Sequence, residues 1–186
     1  GHGPHMNDRR TRFEAIFREV YEPLQRYARR RVDPASADDV VAEALLVVWR
    51  RVDEAPNGLA LPWCYGITRR CLANRRRSDQ RQANVVDRLM GERNAPPGDG
   101  DPLLWAALDE LDADDREIVR LWAWEELQPR EIAVVLDISA NAAAIRVHRA
   151  KRRLADAVER VDGRKSAADA GHRRVGNTPL ETKEAT

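Results

Sequence analysis

Pro129-Arg130-Glu131-Ile132-Ala133-Val134-Val135-Leu136-Asp137-Ile138-Ser139, with the helix that follows from Ala140, decides the fold of the second half of this 186-residue chain. A proline opens a helix well because its missing N–H is surplus at the first helical position. Ala133 is small where two helices must cross, and Ile132 and Leu136 are spaced to pack inward. Asp137 stands at the turn, where aspartate takes the left-handed conformation at lower cost than most non-glycine residues. Ser139 offers a side-chain acceptor to the next helix start. This is the pattern of a helix-turn-helix, whose second helix enters a DNA major groove with its N-terminal residues toward base edges. A plain helical hairpin shares the spacing, but the second helix also carries Arg146, Arg149, Arg152 and Arg153 on its outer face, where packing has no use for them.

Working outward, Asp101-Pro102 and Asp112 each read as a cap for a short helix, the second running through Trp124 with Ile118, Val119, Leu121 and Trp122 inward. The last helix continues with Ala150, Leu154, Val158 and Val161 at steps of three or four. Beyond Gly163 the chain is small, polar and aperiodic, which predicts a disordered tail over residues 163–186. Gly91 to Pro102 holds three glycines and three prolines and predicts a flexible linker, set at residues 85–102. Before it, apolar residues from Phe13 to Ala28 recur at helical spacing, with Thr11 and Glu14 as a capping box and Pro23 predicting a kink or a break. Asp33-Pro34 opens a second helix carrying Val40, Val41, Ala44, Leu45, Val48, Trp49 and Val52, and Asn57-Gly58 ends that element. A third helix begins at Pro62 and runs into Arg75-Arg76-Arg77. The expected architecture is all-α: two small helical domains, residues 11–84 and 103–162, joined by the linker. Residues 1–10 are an N-terminal extension, in which Gly1 to His5 before Met6 reads as a cloning remnant.

Composition agrees with helices: 42% of residues are hydrophobic but only 5% aromatic, which favours an aliphatic helical core over a strand-rich barrel. The net charge of +1 hides segregation. Arg69 to Arg81 holds six arginines and one acid, Arg146 to Arg153 five Lys and Arg and no acid, and Asp109 to Glu117 six acids and one arginine. Runs of this kind are commonly solvated helix faces, yet one basic patch per domain suits a polymer whose phosphates are neutralised in two places. The longest apolar runs are six residues, which predicts no membrane insertion. Cys64 and Cys71 stand at neither disulfide-framework nor zinc spacing, so a reducing cytoplasm is expected, with no metal and no cofactor. Neither a phosphate-binding glycine loop nor a His and carboxylate constellation occurs, so no enzyme is expected.

The chain resembles a known family at these residues. Ala107-Leu108-Asp109-Glu110-Leu111, Arg116-Glu117-Ile118-Val119, Glu131-Ile132-Ala133, Ile138-Ser139 and Arg146-Val147-His148-Arg149-Ala150 are similar to region 4 of bacterial sigma factors of the extracytoplasmic-function (ECF) group, group IV of the sigma-70 family. Tyr27-Ala28-Arg29-Arg30-Arg31, Ala37-Asp38-Asp39-Val40-Val41-Ala42-Glu43, Trp49-Arg50-Arg51 and Pro62-Trp63-Cys64-Tyr65-Gly66-Ile67-Thr68-Arg69 resemble its region 2, in the same order. The resemblance implies a sigma region 2 bundle that binds the β' clamp helices of core RNA polymerase and opens the -10 element. It implies a region 4 helix-turn-helix that reads the -35 element, and an anti-sigma partner that covers one of these faces.

Residue by residue, the resemblance and the side-chain chemistry give these expectations. Asp39, Glu43, Leu46 and Trp49 would meet polymerase, with Trp49 equally readable as core. Trp63, Tyr65, Arg69, Arg70, Asn74, Arg75, Arg76 and Arg77 would hold the -10 strand, as aromatics beside cations suit unstacked bases, with Trp63 equally structural. Arg130, Ser139, Asn141, Ala142, Ala143, Arg146, Arg149 and Arg153 would face the -35 duplex: Asn141 toward an adenine edge, Ala142 and Ala143 toward thymine methyls, the arginines toward guanine or phosphate. The chain departs from the family's common pattern at Asp137, where glycine is usual, and at Ala142-Ala143-Ala144, where Thr-Val-Lys is common. In region 2, Ala42, Arg70 and Asn74 stand for a frequent Gln, Asn and Asp. The competing expectation is a helix-turn-helix regulator that acts without polymerase.

Overall fold

The computed structural model describes residues 4–82 and 101–175. The first helix, α1 (Pro4–Arg29), buries Ile16, Val20, Leu24, Tyr27 and Ala28 along one stripe. It runs unbroken through Pro23, so the expected break does not occur. Nor does the expected capping box at Thr11 form, since the helix begins further upstream. There the Thr11 hydroxyl donates back to Asn7 O at 3.0 Å, and Glu14 pairs with Arg10. Asp33 caps α2 (Pro34–Arg50) by accepting from Ser36 N at 3.0 Å. A 3-10 turn (Val52–Glu54) and a bend at Gly58, φ +71°, lead into α3 (Ala60–Gln82). These three helices pack mutually around Val20, Leu24, Val40, Val41, Ala44 and Val48, all 0–1% exposed.

The linker expected at 85–102 lies outside the described residues except for its last two. Asp101 caps α4 (Pro102–Asp109) and Asp112 caps α5 (Ala113–Ala123), each through its carboxylate as the sequence predicts. Then come α6 (Pro129–Leu136) and α7 (Ala140–Val175), with α4, α5 and α6 all packed on α7. Trp122, expected inward, is exposed at 38% and lies under the Lys151 ammonium, 4.1 Å from its ring centre. The last helix passes through Gly163 to Val175, so the tail expected from residue 163 begins as helix. Arg160 and Arg164, on either side of that glycine, both pair with Glu110 and hold the helix over α4. Residues 176–186 lie outside the described residues.

Candidate nucleic-acid interface

Local chemistry sets the helix-turn-helix. Gln128 N–H donates to the Glu131 carboxylate at 2.7 Å at the start of α6. Asp137 ends it in the left-handed conformation, φ 56° and ψ 49°, as expected of the turn. Ser139 Oγ then accepts from Ala142 N at 3.1 Å, fixing the start of α7. Asn141, Arg146, Arg149 and the preceding Arg130 are exposed, and Ala142 is half-buried. Ala143 is not available to a base: it is 0% exposed, on the inward stripe with Val147 and Ala150. Arg153 reaches back to Asp115 and, at 3.5 Å, to Asp112 at the N-terminus of α5, so its charge is already engaged. Ile145, which sequence reasoning passed over, is 44% exposed one position before Arg146 and adds an apolar contact to this face.

On α2, Asp39, Glu43 and Leu46 are exposed at successive helical turns, and Leu46 stands 58% open to solvent. Trp49 is half-buried, edge-on to Phe13 at 5.3 Å, with Arg9 over its face at 5.8 Å. Phe17 and Tyr21, stacked at 5.1 Å and exposed, extend an aromatic surface along α1 that the sequence pattern had assigned to the core. On α3, Arg51 covers Trp63 at 5.8 Å. Arg75 meets Asp39 at 3.3 Å, so a residue expected to touch DNA and one expected to touch polymerase hold each other. Arg70, Asn74, Arg76 and Arg77 are exposed and Arg69 half-buried. Tyr65 does not present its ring to a strand: it is 4% exposed, 4.9 Å from the Tyr27 ring, and burial, with Glu125 second, pushes its hydroxyl up to about 12.

The two halves meet directly. Gly66 of α3 lies so close to α6 that a Cβ there would sit 3.1 Å from Val135 O, and Arg70 pairs with Asp137 at 3.2 Å. An open cavity of about 530 Å³ beside this contact is lined by Trp63 and Arg70 from one half and Arg130 and Ile138 from the other. Deeper in, Arg31 donates to Glu117 at 3.0 Å and to Glu125 at 3.0 Å, Arg30 pairs with Glu125 at 2.7 Å, and the Tyr27 hydroxyl donates to Glu117 at 2.8 Å. The Arg31 and Glu125 side chains are 3% and 1% exposed. Burial works against the Arg31 charge, yet Tyr27, Glu117 and Glu125 together hold its pKa above the ordinary value. The Tyr27 hydroxyl is pushed well up by burial and by Glu117. Sequence reasoning missed this network because its partners lie 86 to 95 residues apart. A run of acids facing a run of arginines was its visible signal.

Among the described residues no helix is long and apolar enough to cross a membrane. The sequence matches the family models for sigma-70 region 2 over residues 16–82 and sigma-70 region 4 over residues 102–154. Among solved structures, the chain is similar to CnrH in complex with the cytosolic domain of CnrY, at 23% identity and a TM-score of 0.53, covering 79% of this chain and 87% of that one. It is also similar to the sigma factor RpoE in complex with the anti-sigma factor NepR from Bartonella quintana, at 22% identity and a TM-score of 0.53, over 79% and 96% of the two chains. At these identities the likeness is one of fold. No curated protein sequence matches.

Proposed function

Because the chain belongs to the sigma-70 family, carrying its regions 2 and 4 in order, it is an RNA polymerase sigma factor, and we propose how its two halves divide the work. The first half docks on core polymerase through the exposed Asp39, Glu43 and Leu46 face of α2, an acidic and apolar surface suited to a helical partner with basic and apolar groups. Its α3 arginines, with Trp63, capture the opened -10 strand, where stacking and phosphate contacts offset lost base pairing. The second half inserts the start of α7 into the -35 major groove, with Asn141, Ala142 and Ile145 toward base edges and Arg130, Arg146 and Arg149 toward phosphate or guanine. No bond is made or broken by this chain itself; it acts by binding, in the bacterial cytoplasm where polymerase works.

The observation that carries this reading is the ordered pair of region matches on two helical halves. The region 2 match counts against a regulator that ignores polymerase. The halves face each other through α3 and α6, and in this proposal they part when the chain spreads along a promoter. An anti-sigma partner, of the kind the RpoE structure from Bartonella quintana contains, would act by holding such a packed arrangement. The test is transcription in vitro with bacterial core polymerase, the purified chain and genomic promoter fragments. Defined starts sharing -35 and -10 elements are expected. Absence of any start, with no co-elution with core polymerase, would return the regulator reading to the front.

A further inference from the structure

A second cavity, of about 290 Å³, lies between the halves where α3 faces α5. Arg31, Arg69, Arg76, Arg77, Arg116 and Arg120 line it, against the carboxylates of Asp114 and Glu117. Glu117 is already bonded to Arg31 and to Tyr27. Arg116 donates from Nε and Nη2 to the carbonyls of Leu108, Asp109 and Leu111, which anchors the guanidinium through two of its three nitrogens without cancelling its charge. Arg120, one of the lining residues, is 5% exposed; its guanidinium lies over the Trp124 ring at 5.6 Å, and its buried Nε has no hydrogen-bond partner. A buried donor left unmade is costly, and a buried cation more so. Burial and the neighbouring Arg31 hold the Arg120 pKa below its ordinary value, with Arg116 and Arg76 adding to the repulsion. Among the described residues lining this cavity, arginines therefore outnumber carboxylates, and Arg69, Arg77, Arg116 and Arg120 bring positive charge to one place.

We propose that this cavity is a binding site for a compact diphosphate-bearing anion, held by Arg120 and Arg116 of α5 and Arg69 and Arg77 of α3. Guanidinium forks match phosphate oxygens in geometry as well as charge. The volume falls just under the roughly 300–1,000 Å³ of sites that enclose drug-sized ligands, which suits the diphosphate group itself. A ligand there ties α3 to α5 and so favours the packed arrangement of the halves. It also occupies Arg69 and Arg77, two of the residues assigned to the -10 strand.

The test uses calorimetric titration of the full free chain with inorganic pyrophosphate at fixed ionic strength, and does not depend on transcription. One saturable site per chain is expected. Arg120→Gln and, separately, Arg77→Gln should each weaken binding at least tenfold, while Arg18→Gln, on the exposed side of α1, should leave it unchanged. Arg77 is exposed, so its variant reports on the site even if Arg120→Gln disturbs folding. Adenosine diphosphate should bind at the same site and sulfate at least tenfold more weakly. Weak heats without saturation, equal binding by the Arg18 and Arg77 variants, or a single-stranded oligonucleotide that needs Arg120 while pyrophosphate does not bind would each overturn the proposal.

Discussion

Cys64 and Cys71 face inward from α3, and burial pushes their thiols up to about 12 and about 11, with Glu19 and Glu43 as the next causes. The thiolate is the reactive form, so at pH 8 both should be nearly inert in the folded chain. Their reaction with a chromogenic disulfide reagent is expected to be at least about a hundredfold slower than in urea, as the shifts imply; rapid modification of the native chain would contradict this. Both folded-state values lie above the unfolded ones. The stability these two thiols contribute is therefore full below about pH 9 and falls away as pH rises from there through about 11 and 12, which a lower denaturation midpoint at pH 10.5 than at pH 8 would reveal. Reading at this scale had one clear limit. Ala140, Ala142, Ala143 and Ala144 form a run in which residue type carries no phase, so only the register of Val147 and Ala150 tells which alanine is buried. Tyr65 is buried for a related reason: an amphipathic ring beside arginines fits a core as well as a strand.

Helix starts capped by an Asp or Ser were the most legible elements, because a cap is a contact over two or three residues, whereas the starts expected at Thr11 and Pro62 lie further upstream, at Pro4 and Ala60. Asp33, Asp101, Asp112 and Ser139 all accept the expected backbone N–H. Helix ends were harder, since Pro23 and Gly163 are overridden by packing and by pairs such as Arg160 with Glu110. Within α7 the arginines fall into two groups. Arg146 and Arg149 are exposed, while Arg153 is engaged by Asp112 and Asp115. Changing Arg146 and Arg149 together to Ala should weaken -35 duplex binding and reduce its salt slope by about two, roughly one for each phosphate left without its arginine. Arg153→Ala should instead leave the slope unchanged and lower the melting temperature modestly. Equal slopes for both variants in fluorescence anisotropy would remove the distinction.

Across the whole molecule, the two-domain outline could be read from composition and caps, but the contact between the halves could not. Nothing local announces that Arg31 will meet Glu117 and Glu125. Removing Glu125 leaves a buried arginine short of a partner, an imbalance that costs about 3–5 kcal/mol at fully buried pairs. That penalty exists only while the halves are packed, because in separated halves both groups are hydrated. Glu125→Ala is accordingly expected to increase the radius of gyration in small-angle scattering without loss of helical signal; an unchanged radius would show that apolar packing alone holds the arrangement. Gly66 adds a separate control. Alanine there would favour α3 by about 0.5–1 kcal/mol whichever way the halves lie, whereas the meeting with Val135 O arises only in the packed form. Side-chain size at this one position thus bears on the fit between the halves, since with a Cβ 3.1 Å from Val135 O the neighbouring backbone must give way for the packed form to persist. On the proposed reading, in which the halves part at a promoter, the share of chains already open is tuned at this position by a hydrogen atom where other residues carry a carbon.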